Sequence, residues 1–155
     1  MSKNKKDYRY TECGLDNVFI EGLEVVADDH GEELYCIPNI LTLHKMIAHA
    51  VIANGTGMSG QELRFLRTEM GYTQEQLADL LKVERATIGR WERGDMTVNA
   101  NAETVIRLLT AEKLEIDLQM SVEEISKGSM WGAEMTEIRI DGSDPENYRP
   151  IKKAA

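Results

Sequence analysis

Gly71-Tyr72-Thr73-Gln74-Glu75-Gln76-Leu77-Ala78-Asp79-Leu80-Leu81-Lys82-Val83-Glu84-Arg85-Ala86-Thr87-Ile88-Gly89-Arg90-Trp91-Glu92-Arg93-Gly94 is the stretch whose reading decides the fold. Thr73 and Gln76 have the spacing of a capping box, in which each side chain satisfies the other's backbone N–H. Leu77, Ala78, Leu80 and Leu81 follow, so a short helix starts here. Lys82-Val83 breaks it. A second short helix is expected from about Glu84 to Arg93, with Ile88 and Trp91 as its apolar pair and Gly94 as its stop.

The neighbouring sequence extends this pattern on both sides. Ser59-Gly60-Gln61-Glu62 is another capping box, followed by the apolar face Leu63, Phe65, Leu66 and Met70. A further helix starts near Asn101 and carries Val105, Ile106, Leu108 and Leu109. Four short helices joined by loops of a few residues make a compact bundle. Within it, Thr73–Leu81 and Glu84–Arg93 form a helix-turn-helix arrangement, whose first helix positions the second. Ala78 is the small residue at the crossing, and Val83, Ile88 and Trp91 face inward. Arg85, Ala86, Thr87, Gly89, Arg90 and Arg93 remain outward. Arginine can fork onto guanine in a DNA major groove, and Ala86 or Thr87 can touch a thymine methyl. Gly89 leaves room for close approach. Thr73 and Gln74 sit at a helix N-terminus, where backbone N–H groups suit a phosphate.

Ser59–Lys113 resembles the Cro/lambda-repressor family of helix-turn-helix domains, the Xre-like regulators. The resemblance is carried by Leu63-Arg64-Phe65-Leu66-Arg67, Gly71 to Ala78, and Val83 to Gly94. It implies a lambda-repressor-like DNA-binding bundle of four to five helices. Gln74 would then touch the DNA backbone or an edge base, Arg85, Ala86, Thr87 and Arg90 would read or flank bases, and Arg93 would lie near phosphate. Lys82 stands where the family usually has glycine, and adds a cation near the DNA. A left-handed backbone there costs a non-glycine residue roughly 1 kcal/mol. Glu84 and Asp95 flank the second helix with the opposite charge.

Upstream, Val18-Phe19-Ile20, Leu23-Glu24-Val25-Val26 and Leu34-Tyr35-Cys36-Ile37 read as strands of a small antiparallel sheet. Glu21-Gly22 and Asp28-Asp29-His30-Gly31 separate them with turn chemistry. Residues 1–12 read as polar and frayed at the start. Pro38-Asn39 opens a helix, with Asn39 as its cap and Ile40, Leu43, His44, Ile47 and Val51 at helical spacing. Asn54-Gly55-Thr56-Gly57 ends it and marks a linker. Downstream, Ser121-Val122-Glu123-Glu124 starts a short helix ending at Lys127-Gly128. Met135 to Ile140 alternates like a strand, and Asp141-Gly142-Ser143-Asp144-Pro145 is turn-like. The expected chain is mainly α with a small β part. Residues 1–57 form an α/β module for dimerisation or partner binding, 58–113 the helix-turn-helix domain, and 114–155 a C-terminal extension.

The chain has 155 residues, with 18 basic and 27 acidic side chains for a net charge of −9. Coating nucleic acid by bulk electrostatics is thereby excluded. The distribution is uneven: 5 basic and 9 acidic residues in 1–58, 8 and 9 in 59–113, and 5 and 9 in 114–155. Positive charge is concentrated in the middle. No apolar run approaches the roughly 18–20 residues of a membrane span, and the first residues lack the apolar segment of a secretory signal. A cytoplasmic, prokaryotic setting is expected. His44 and His49 fall on different helical faces and neither Cys13 nor Cys36 has a near cysteine, so no metal or other cofactor is expected. Asp28-Asp29, Glu32-Glu33 and Glu123-Glu124 read as solvated faces, so no catalysis is expected.

These features point to a sequence-specific DNA-binding regulator, a repressor acting as a homodimer on a double-stranded operator. The dimer surface is expected at the 40–53 helix or at the fourth helix with the segment after it, the former being favoured. A second reading follows from the placement of a small module ahead of a helix-turn-helix, which is similar to the MqsA-type antitoxins. Cys13-Gly14-Leu15, the strand region and Ser59 to Leu66 carry that resemblance. It implies a toxin protein as partner and autoregulation of an operon. The paired cysteines that hold zinc in those N-domains are absent here.

Overall fold

In the computed structural model, the described residues are 4–54, 57–129 and 136–151. Gly55 and Thr56 of the expected linker and Met135 of the C-terminal alternation lie outside them. The chain divides into two compact units, residues 1–47 with 137–155 and residues 48–136.

The first unit is built on a five-stranded sheet. Its strands are β1 (Asn4–Arg9), β2 (Val18–Ala27), β3 (Glu33–Tyr35), β4 (Ile138–Asp141) and β5 (Arg149–Pro150). Of the polar residues 1–12, Asn4–Arg9 thus form a strand, and residues 1–3, where fraying is expected, lie outside the described residues. The charged side chains of β1 suit an exposed edge while its backbone pairs with β2. Val18 to Ala27 is one strand where the sequence suggested two. Lys6 pairs with Leu23 and Tyr8 with Ile20, so β2 spends one residue more than β1 across Glu21-Gly22. Gly22 accommodates that bulge at φ 73°. The bulge keeps Leu23 on the side of Val18 and Ile20, and all three are buried.

The sheet is mixed. β2–β3 is antiparallel as expected; β1–β2 and β4–β5, pairings the sequence did not suggest, are antiparallel too, whereas β4 runs parallel to β2, with Val18 opposite Ile138 and Ile20 opposite Ile140. Residues 138–141, far along the chain, thus complete the N-terminal sheet. Helix α1 (Ile40–Ala53) begins in this unit. Asn39 does precede it, but at φ 57°, and its side-chain amide donates to the Pro145 carbonyl. The Tyr148 hydroxyl donates to the Pro38 carbonyl, and Tyr10 Oη lies 2.8 Å from His44 Nε2.

The second unit is helical: α2 (Gly60–Met70), α3 (Gln74–Leu81), α4 (Arg85–Arg93), α5 (Ala100–Lys113) and α6 (Val122–Gly128). Both expected capping boxes are formed, Ser59 with Glu62 and Thr73 with Gln76. Gly71 and Gly94 close α2 and α4 in the left-handed conformation. Ser121 caps α6, its hydroxyl accepting from the Glu124 N–H. Leu63, Leu66, Leu77 and Ile88 are fully buried, and each such side chain contributes about 1.5–3 kcal/mol. Gly60 is required by packing. A Cβ there would sit 2.2 Å from the Trp91 carbonyl oxygen, so α2 can start hard against the end of α4.

Arg107 of α5 is 1% exposed and Glu103, one turn earlier, is fully buried. The guanidinium donates to the Ile52 carbonyl at 2.8 Å, to that of Asn54, and to Gly57 and Glu103 at 3.4 Å each. It neutralises the carbonyl end of α1 and anchors Asn54 and Gly57. Burial pushes the Glu62 carboxyl up, although hydrogen bonds with Ser59 and the charge of Arg107 pull it down. The folded chain therefore holds this proton more tightly than the unfolded one. Ionisation weakens the fold as pH rises from the ordinary carboxylate range through the raised value. Glu62→Gln keeps the acceptor for Ser59 and removes the ionisation. It should melt above the parent at neutral pH, with an advantage that shrinks as pH falls below the carboxylate range. A thermal-melt gap independent of pH would contradict this.

Candidate nucleic-acid interface

The interface begins with an ion pair inside the second unit. Arg67 of α2 is 15% exposed and Glu92 of α4 is 4% exposed. Arg67 Nη2 donates to Glu92 Oε1 at 2.8 Å and Nε to the same carboxylate at 3.0 and 3.2 Å. Arg67 Nη1 donates to the Tyr72 carbonyl at 3.0 Å, and Gln74 Nε2 donates to Glu92 Oε2 at 3.1 Å. One carboxylate thus joins α2, the start of α3 and the end of α4. Its bidentate geometry fixes orientation as well as distance. Ile88 and Trp91, 0% and 3% exposed, hold the inner side of α4 in the core.

With that side fixed, Arg85, Ala86, Arg90 and Arg93 are exposed. Thr87 is half-buried, and Gly89, expected outward, is buried. Gln74, Arg85, Ala86, Gly89, Arg90 and Arg93 line one surface depression of ≈ 370 Å³. Six of the residues singled out from the sequence therefore surround a single hollow. Arg93 Nε donates to Asp95 Oδ2 at 3.1 Å, an exposed pair. The role of Glu92 was hidden in the sequence, where it reads as one more acidic residue; its partner Arg67 lies 25 positions away.

Thr73 caps α3 in an extended conformation, its hydroxyl accepting from the Gln76 N–H at 3.1 Å. One N–H of the Gln74 amide is engaged by Glu92, which leaves its second N–H for an acceptor outside the protein. Lys82 closes α3 at φ 59° and ψ 39°, the left-handed conformation anticipated for that turn, and is exposed. Among the described residues, no group of three or more His, Cys, Asp or Glu is placed to hold a metal ion. No helix among them is long and apolar enough to cross a membrane.

Lys82→Gly should relieve the left-handed strain and raise stability by about 1 kcal/mol in urea unfolding. An unchanged or lower midpoint would contradict a strained turn.

Comparison with known proteins gives one family match. Residues 63–125, from the first turn of α2 into α6, match the family model described as Helix-turn-helix. No curated protein and no solved structure matches the chain. The segment 63–125 is thus similar to helix-turn-helix domains of the Cro/C1, Xre-like kind, a family of DNA-binding transcriptional regulators.

Proposed function

We propose that the chain is a sequence-specific transcriptional repressor that inserts α4 into the major groove of its operator and acts as a homodimer. The observation that carries this reading is the ring of Arg85, Arg90 and Arg93 with Gln74 around one depression, on a chain whose net charge is −9. Local cations on an acidic body favour a chosen contact over indiscriminate coating. Arg85 and Arg90 fork onto guanine edges, while Ala86 and the Thr87 methyl meet thymine methyls. Thr73, Gln74 and Lys82 hold the sugar-phosphate backbone around them.

One such helix makes few base contacts, so selectivity requires two half-sites about 34 Å apart and two copies of the chain. Most apolar residues of α1 (Leu43, Ile47, Ala48, Val51 and Ile52) are buried within the chain, which leaves Ile40 and Leu41, 41% and 85% exposed, as its apolar surface for such pairing. Val105 of α5 and Val122 of α6, 47% and 61% exposed, make the α5–α6 face a second candidate. A cytoplasmic setting suits Cys13 and Cys36, which form no disulfide with each other. Arg85→Ala and Arg90→Ala should each cost about 1–3 kcal/mol on a duplex selected by the chain and relax its base preference. Fluorescence titration at fixed salt should show this with two chains per duplex. Parent-like affinity of both variants for selected and random duplex would refute the assignment.

A second reading as an antitoxin draws on one surface of the first unit. Val26 and Leu34, opposite each other across β2 and β3, are 52% and 54% exposed. The turn between them carries Asp28, Asp29, Glu32 and Glu33. An apolar pair bordered by carboxylates suits a basic protein. Co-purification with a small basic neighbour, abolished by Val26→Asp, would favour this reading; purification as an uncomplexed dimer from the native host would reject it.

A further inference from the structure

Arg93 ends α4, and the family resemblance implies a place near phosphate for it, but its guanidinium lies elsewhere. A Cβ built on Gly89 would be 3.0 Å from Arg93 Nη1 and 3.9 Å from Cζ. The guanidinium is therefore folded back one turn along the helix and rests against Gly89. Asp95 receives its Nε–H at 3.1 Å, which holds the head from behind. The head joins Arg85, Ala86 and Arg90 around the depression.

This placement suits a base better than a phosphate. The Arg93–Asp95 pair is 64% and 59% exposed, so Asp95 sets the direction of the guanidinium through Nε more than it lowers its charge. Only Nε is taken by Asp95, so both Nη groups keep donors in the fork geometry that matches guanine O6 and N7. We propose that Arg93 reads a guanine edge in the major groove, that Gly89 is the specificity-determining residue that lets its guanidinium lie across α4, and that Asp95 positions it. The proposal rests on the DNA-binding reading given above.

The fold and the reading separate cleanly at Gly89. An alanine there displaces only the far end of a flexible side chain, and alanine favours a helix over glycine. The test uses a duplex selected from a random pool by the full chain, and copies in which 7-deazaguanine, which lacks N7, replaces each guanine in turn. The parent should lose affinity roughly 5- to 150-fold at the guanine that Arg93 reads. Arg93→Ala and Gly89→Ala should abolish sensitivity at that guanine, Asp95→Asn should blunt it, and Arg90→Ala should leave it in place. Gly89→Ala should melt at or above the parent temperature.

Equal losses on selected and random duplex for Arg93→Ala, with the log–log salt slope reduced by about one, would make Arg93 a phosphate contact and overturn the proposal. If Arg90→Ala still relaxed base preference in that case, the DNA-binding reading would stand. A parent that enriches no sequence from the pool would overturn both.

Discussion

A carboxylate that is 4% exposed determines how the helical unit presents itself. Glu92 accepts two donors from Arg67 and one from Gln74, and so ties α4 to α2 and to the start of α3. Withdrawing two charges from water is expensive, and a pair of this kind is retained where its geometry specifies an arrangement. Here the arrangement is the roll of α4 about its axis. With Glu92 turned inward beside Trp91 and Ile88, helical periodicity leaves Arg85, Ala86 and Arg90 outward. A different roll would bring carboxylate to the surface and bury arginine.

The same logic reconciles an acidic chain with a nucleic-acid partner. Two of the acidic side chains nearest to the interface are already engaged, Glu92 by Arg67 and Asp95 by Arg93. Two further carboxylates of this unit, Glu62 and Glu103, are buried close to Arg107. Exposed Glu75 and Glu84 keep negative charge beside Gln74 and Arg85, so in the proposed complex the acidic balance would penalise indiscriminate contact while the guanidinium groups at the rim select a register.

The helical unit was legible in the sequence because its signals are local. Capping boxes, terminal glycines and the Ile88–Trp91 spacing each act within one turn of helix, and each is found where the spacing put it. The left-handed Lys82 was anticipated through the resemblance alone, whose members usually have glycine there. What escaped was non-local. Asn4–Arg9 has no apolar alternation of its own and becomes a strand only by pairing with β2. Ile138–Asp141 reads as a strand, but nothing near it tells that its partner is Val18–Glu21. Arg107 looks like a solvent residue until the carbonyls of Ile52, Asn54 and Gly57 are brought to it. In the interface, the outward arginines follow from periodicity. The approach of the Arg93 guanidinium to Gly89 depends on a side-chain conformation four residues away, which no pattern of residue types encodes.

The most direct test of the α4 assignment is an amide-resolved NMR titration of the full, isotope-labelled chain with a duplex enriched from a random pool. The account predicts that the largest shifts fall on Gln74, Lys82, Arg85, Ala86 and Arg90, with the sheet residues 4–35 nearly silent. Strong shifts on the sheet with α4 unmoved would contradict it.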